Sequence, residues 1–262
     1  MKKFLVIGNP IEHSLSPKLH NFWFKKNNIN ANYDKKKIDK SEIQEVILEI
    51  KNNKLNGINV TVPFKSDVIP FLDALSEESQ ITQSVNTIYM HNKKILGHNT
   101  DIKGFELSLR ETRFNLKNKI IFLLGAGGVV PSMIYALEKL GVAKIVVSNR
   151  TKQKAENLTK LFPDIKILDW GKKPNKFDII INTTSIGLKE NDRIELDFSD
   201  CKDKLFYDLI YSGKTKFLKE REILNYTKDG MSMFVFQAQK SYETWLGYKP
   251  HVDDKLWDLL SN

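Results

Sequence analysis

A chain of 262 residues with 41% hydrophobic and 28% charged side chains can bury one large core or two medium ones, which excludes disorder as the default reading. The single cysteine, Cys201, excludes an internal disulfide and a Cys-rich zinc site, and the five histidines lack HExxH spacing, so no metal is expected. The net charge of +9 comes almost entirely from lysine, and no basic stripe is interleaved with aromatic residues, so we expect a solvated lysine coat and neither a nucleic-acid nor a membrane partner.

No run of about twenty apolar residues occurs, and the opening MKKFLVIG is too short for the apolar core of a signal peptide, so a soluble, cytoplasmic protein is expected. Residues 3–7 read as a buried strand. Ser16 and Pro17 then open a helix to about Lys26, with serine as N-cap and proline at the first helical position. A strand over 31–38 leads to a helix over 41–51, where Ser41 and Gln44 form a capping-box pattern, and a strand over 57–62 follows. Alternation of this kind predicts a mostly parallel sheet covered by helices.

Two polar islands interrupt this first half. The segment 59–65, NVTVPFK, ends in Lys65, and the segment 97–101, GHNTD, ends in Asp101, each at the expected C-terminal end of an extended run. In open α/β sheets those ends line the ligand crevice. A lysine beside a carboxylate there can pass a proton to a hydroxyl or carbonyl oxygen, which points to an enzyme acting on a polyhydroxylated small molecule. A surface ion pair is the alternative reading.

A helix runs from Asp101 to about Arg113, and the polar stretch 115–119 reads as a boundary. A second α/β unit then begins: strand 119–124, glycine-rich turn, helix to Leu140, strand 144–148 and helix 151–161, with strand-like runs at 165–168, 178–182 and 205–207. Helices are predicted from Gly230 to Leu246 and over 252–260. Gly125, Ala126, Gly127, Gly128 and Val129 follow an apolar strand and precede an apolar helix, the context in which glycines let a backbone approach a pyrophosphate at a helix N-terminus. Val130 stands where a third glycine is usual, followed by Pro131. The second strand ends at Asn149, Arg150 and Thr151, with Lys152 and Lys154 close behind and no acid for a ribose hydroxyl. Cations and hydroxyls suit a 2′-phosphate, so NADP(H) is expected over NAD. The alternative for Thr151 is a plain helix cap.

The segments GNPIEHSLSPKLHN (8–21), GINVTVPFK (57–65), SVNT (84–87), GHNTD (97–101), GAGG (125–128), NRT (149–151), NTTSIG (182–187), DLIY (208–211) and GMSMFVFQA (230–238) together resemble the shikimate dehydrogenase family over nearly the whole chain. The resemblance implies two α/β domains: a substrate-binding domain over 1–101, completed by C-terminal helices over 236–262, and a Rossmann-like NADP-binding domain over 102–235. It implies the reversible reduction of 3-dehydroshikimate to shikimate by NADPH, with Lys65 as acid/base group and Asp101 orienting it. Ser14, Ser16 and Tyr211 match contacts to the substrate carboxylate, and Thr61, Asn86, Asp101 and Gln237 match contacts to the ring hydroxyls. Asn59 is expected to hold its loop. Ser16 can also cap its helix, whereas Ser14 has no capping role in this reading. Leu209 and Gly230 resemble nicotinamide contacts, Gly230 because a missing side chain permits close approach. Glu77 matches an acidic cofactor neighbour, although SEES (76–79) reads equally well as a capped helix start. His13 and His20 are expected in structural roles only. The expected assembly is a monomer or homodimer.

Overall fold

The computed structural model describes residues 1–189 and 191–261. The chain divides into two compact units, Met1–Asp101 with Gln237–Asn262, and Ile102–Phe236. Each is an α/β structure built on a six-stranded sheet.

The first unit opens with β1 (Lys2–Gly8), α1 (Ser16–Lys26) and β2 (Ala31–Lys37). Helix α1 has Pro17 in its first turn, where the missing N–H costs nothing, and Lys25 and Lys26 in its last turn, where cations suit the dipole. Leu15 occupies the N-cap position, and Ser16 is already helical; the Ser14 Oγ accepts the Ser16 N–H at 3.3 Å. Ser16 is therefore not the N-cap that the sequence suggests, and no side chain caps α1 from the N-cap position. A 3₁₀ turn over Lys40–Glu42 precedes α2 (Ile43–Lys51), and its capping box is made by Asp39 and Glu42 in place of Ser41 and Gln44, because the chain turns two residues earlier. Strand β3 (Gly57–Val60) follows, then a short 3₁₀ turn over Ile69–Phe71, β4 (Ala74–Leu75), α3 (Glu77–Thr82), β5 (Thr87–His91) and β6 (Lys94–His98).

The sheet order is β2-β1-β3-β5-β6-β4, and only β5 runs antiparallel to its neighbours. Asn92 and Lys93 close the β5–β6 hairpin with φ of 50° and 63°, the double left-handed turn that matches strand twist. As a result Gly8, Val60 and His98, which end β1, β3 and β6, and Thr87, which starts β5, all lie on one sheet edge. Leu5 and Ile7 pack with Val46, Ile47 and Ile50 of α2 in one core. Phe4, on the alternate face, stacks on Trp245 at 4.8 Å within an aromatic cluster that includes His20, Trp23, Phe24, Tyr33 and Tyr242.

Helix α4 (Asp101–Glu111) leads into β7 (Ile120–Leu124), α5 (Val130–Lys139), β8 (Lys144–Ser148), α6 (Lys152–Leu158), β9 (Lys166–Leu168), β10 (Ile179–Asn182), β11 (Leu205–Asp208), α7 (Lys216–Lys219) and β12 (Tyr226–Lys228). All neighbours are parallel in the order β12-β11-β10-β7-β8-β9, the doubly wound arrangement whose switch point lies between β7 and β10. Successive residues of β7 alternate between two cores: Ile121 and Leu123 join α4 and α5 side chains, and Phe122 and Leu124 join Phe198 and Phe206. The stretch 115–119, read above as a boundary, lies inside this unit, because Ile102, Phe105, Leu109 and Leu116 bury into the same core as β7. Helices α8 (Met231–Leu246) and α9 (Asp254–Ser261) end the chain. No helix among the described residues is long and apolar enough to cross a membrane.

His20 is fully buried, stacks on Tyr33 at 4.3 Å, and burial lowers its pKa from 6.5 to about 3. Between those pH values the unfolded chain binds a proton that the folded chain excludes. This contribution is therefore intact above pH 6.5 and is lost as pH falls, at about 1.4 kcal/mol per pH unit. Urea unfolding of the wild type and of His20→Leu from pH 4.5 to 7.5 should give a shallower pH slope in the variant, by about that amount; equal slopes would contradict it.

Candidate functional site

The single sheet edge of the first unit gathers the polar segments that are dispersed in the sequence. Beyond β3 the chain turns through a cis Val62–Pro63 peptide, and the Lys65 carbonyl accepts the Val85 N–H at 2.8 Å. Lys65 thus lies five residues beyond the strand end, and Asp101 is the first residue of α4, three residues past β6. Neither sits on a strand terminus itself, yet Lys65 Nζ donates to Asp101 Oδ2 at 2.5 Å and both residues are buried.

Asn86 supports this pair. Its Oδ1 accepts the Thr100 backbone N–H at 2.7 Å, a bond whose polarity is unambiguous, and this fixes the amide so that Nδ2 faces Asp101. Nδ2 donates to Asp101 Oδ1 at 2.9 Å and approaches Gln237 Oε1 at 3.4 Å. Four of the expected residues, Lys65, Asp101, Asn86 and Gln237, therefore form one connected group. Thr61 is half-buried at the same edge, its backbone N–H bonded to the Ile7 carbonyl.

Ser16 is buried, and burial pushes the pKa of the Tyr33 hydroxyl well above its ordinary value. Tyr33 donates to Asn59 Oδ1 at 2.7 Å, and Asn59 Nδ2 bonds to the Asn86 carbonyl, to Thr87 Oγ1 and to Ser241 Oγ. Asn59 thus holds far more than its own loop. The sequence reading missed Tyr33, Thr87, Thr100 and Ser241. Ser241 was accessible: it lies four residues after Gln237 on one helix, hence on the same face. Glu77 is exposed in the first turn of α3, and Ser76 Oγ accepts the Ser79 N–H, so the capped helix start is real.

In the second unit, Gly125 has φ +113°, and a Cβ there would lie 2.3 Å from Thr183 Oγ1, so the β7 and β10 loops meet at the switch point through a position open only to glycine. Ala126, Gly127, Gly128 and Val129 lead into α5, and a Cβ on Gly127 would meet nothing within 4 Å, leaving backbone open at the start of a ten-residue helix. That surface fits a pyrophosphate. Arg150 and Thr151 are exposed beyond β8; Asn149 Nδ2 donates to the Thr151 carbonyl, and Lys152 pairs with Asp169 while Lys154 is exposed. Thr151 holds the N-cap position of α6 without a side-chain cap bond.

Asp208 ties the remaining loops together. It accepts from Asn182, Thr215 and the Ile210 N–H, and burial raises its pKa to about 6 despite these bonds. Asn182 in turn bonds Thr184 and the Ile186 carbonyl. Tyr211 stacks on Phe234 at 4.6 Å, and burial raises its pKa. A Cβ on Gly230 would lie 2.1 Å from the Leu209 carbonyl oxygen, so the missing side chain there makes room for the protein's own backbone. Among the described residues no cluster of His, Cys, Asp or Glu could hold a metal ion.

Two family models match, one described as the shikimate dehydrogenase substrate binding domain over residues 6–88 and one as shikimate / quinate 5-dehydrogenase over residues 106–204. The chain belongs to the shikimate dehydrogenase family. It is 55% identical to the shikimate dehydrogenase (NADP(+)) of Pelagibacter ubique, covering 99% of this chain and 98% of that one. Among solved structures, shikimate dehydrogenase from Aquifex aeolicus superposes with a TM-score of 0.90 at 36% identity, covering 99% of this chain and 97% of that one. Shikimate 5-dehydrogenase from Thermus thermophilus, in complex with NADP(H) and shikimate, gives 0.88 at 27% identity, covering 100% and 98%.

Gly230→Ala forces a backbone collision that no rotamer relieves. We expect a loss of about 2 kcal/mol or more in urea unfolding, whereas a stability equal to wild type would show that the Leu209 loop yields freely.

Proposed function

We propose that the chain catalyses the reversible NADPH-dependent reduction of 3-dehydroshikimate to shikimate, a step toward chorismate and the aromatic amino acids. The observation that carries this reading is the buried Lys65, Asp101 and Asn86 chain at the sheet edge, in a protein whose relatives bear that activity in their names. NADPH at the glycine-rich turn supplies the hydride. The Lys65 ammonium gives its proton to the ketone oxygen as the carbonyl carbon is reduced, leaving a secondary alcohol and a neutral amine that regains a proton from solvent. In the other direction the amine takes the hydroxyl proton. Asp101 orients the amine and accepts from a neighbouring ring hydroxyl.

In this assignment Thr61, Asn86 and Gln237 serve the ring hydroxyls, although the Asn86 amide is already committed to Asp101, which makes orienting that carboxylate its first task. Ser14, Ser16 and Tyr211 serve the carboxylate, with backbone N–H groups at the start of α1 favouring the anion. The unit of residues 1–101 and 237–262 serves as the substrate domain and that of residues 102–236 as the NADP domain, one residue beyond the boundary expected from the sequence. Gly125 to Val129 take the pyrophosphate. Asn149, Arg150, Thr151 and Lys154 take the adenosine 2′-phosphate, Leu209 and Gly230 adjoin the nicotinamide, and Glu77 is an acidic neighbour of the cofactor. The protein works in the cytoplasm as a monomer or homodimer. A second reading, action on quinate, is favoured by the family model that names both acids.

Steady-state assays with shikimate or quinate, each with NADP or NAD, separate these readings: turnover on shikimate with NADP is expected to lead, and a quinate preference would replace the assignment. Lys65→Ala is expected to lower kcat by about 10² to 10⁴ with a small change in KM for shikimate. Wild-type turnover in that variant would remove Lys65 from proton transfer. Arg150→Ala should raise KM for NADP more than for NAD, and equal losses would remove its 2′-phosphate role.

A further inference from the structure

The structure assigns to Ser241 a positioning role: from α8, its hydroxyl fixes the groups that aim Asp101, and through it Lys65. This rests on the reading of Lys65 and Asp101 as the proton-transfer pair.

An unbroken chain of hydrogen bonds runs through the first unit from Tyr33 to Lys65. Tyr33 donates to Asn59 Oδ1 at 2.7 Å, and Asn59 Nδ2 donates to Ser241 Oγ at 3.0 Å. Ser241 Oγ lies 3.0 Å from Thr100 Oγ1, Thr100 bonds Asn86 Oδ1 through both its N–H and its hydroxyl, and Asn86 Nδ2 donates to Asp101 Oδ1. Lys65 completes the series. Ser241, Thr87 and Thr100 are all 0% exposed, and none of the others exceeds 8%. Water cannot reach the three hydroxyls to replace a missing partner, so each loss there is felt by its neighbours.

Ser241 stands where four partners meet. It lies within hydrogen-bond distance of Asn59, Thr87, Thr100 and the Gln237 carbonyl. The polarity around it is set at both ends. Asn59 must present its N–H groups because its Nδ2 faces the Asn86 backbone carbonyl, which can only accept, and Asn86 must present Oδ1 to Thr100 because a backbone N–H occupies it. A hydroxyl, with one proton and two lone pairs, answers both demands, and a methyl answers neither. Without it, the Asn59 amide keeps the Asn86 carbonyl and Thr87 Oγ1, but the two threonine hydroxyls lose the partner they share. The nearest acceptor for both threonines is Asn86 Oδ1, 3.1 Å from each. That pull rotates the amide whose other end holds Asp101.

The test compares Ser241→Ala with Ser241→Cys, which keeps the volume and a weak hydrogen-bonding group, and with Ser108→Ala. Ser108 is an equally buried hydroxyl in the second unit, bonded to Tyr207 at 2.7 Å, and serves as a control for plain loss of a buried bond. We expect kcat for 3-dehydroshikimate to fall about tenfold in Ser241→Ala while KM for NADPH stays within twofold. Ser241→Cys should fall between it and wild type, and Ser108→Ala should keep wild-type kcat with a lowered Tm. Turnover of Ser241→Ala within twofold of wild type overturns the proposal, as does an equal kcat loss in Ser108→Ala. If Ser241→Ala does not fold, wild-type kcat in Ser241→Cys overturns it and a partial loss supports it. Lys65→Ala at wild-type turnover would instead overturn the underlying assignment, whatever the serine variants do.

Discussion

A buried ion pair gains from its mutual attraction only when the remaining lone pairs and protons of both ions are also satisfied. Here that condition falls on the Asn86 side chain. One backbone N–H, that of Thr100, turns its amide; the turned amide holds one oxygen of Asp101; and the other oxygen is left for Lys65. The fold of the first unit can be understood as the scaffold for that sequence of three bonds. Strand β5 runs against its neighbours, so its start, not its end, lies at the edge where β3 and β6 finish, and this puts Asn86, one residue before β5, beside Asp101.

The second unit solves a different problem with backbone in place of side chains. Its all-parallel sheet sends every strand end to one edge, and at the switch point Gly125 and Thr183 approach too closely for any side chain at the glycine. Asp208 then fastens Asn182, Ile210 and Thr215, so that two loops following adjacent strands share one anchor. Burial raises that carboxyl to about 6 even with these three donors around it.

Much of this was legible in the sequence. Runs of consecutive β-branched and aliphatic residues, as in β7, β8 and β10, announce strands buried on both faces, and proline in a first turn followed by apolar residues three and four apart announces α1 and α5. Short elements were not legible. β4, α7 and β12 have two to four residues each, too few for a periodicity, and the β5–β6 hairpin turns on Asn92 and Lys93 without the glycine that usually marks such a turn. Helix starts were misread by one or two residues because serine, threonine and aspartate compete for the same orphan N–H groups; Ser14 accepts the N–H of Ser16, and Asp39 caps in place of Ser41. Lys65, Asp101, Asn86 and Gln237 were found by motif. What motif could not supply was how they are held, since Tyr33 lies in a charged edge strand and Ser241 in a helix more than 150 residues from Asn86, and only tertiary contact brings them together.

The first unit is discontinuous in the chain, and its polar hub and aromatic stack both draw on α8: Ser241 reaches Asn59, and Trp245 stacks on Phe4. During synthesis the segments carrying Lys65 and Asp101 emerge early, but the residues that lock them emerge near the end, after the whole second unit. The segment made first is thus the last to be finished. The contiguous unit can close while the ribosome is still translating, and the other must wait, with Tyr33, His20 and Asn59 short of their partners, until α8 is released.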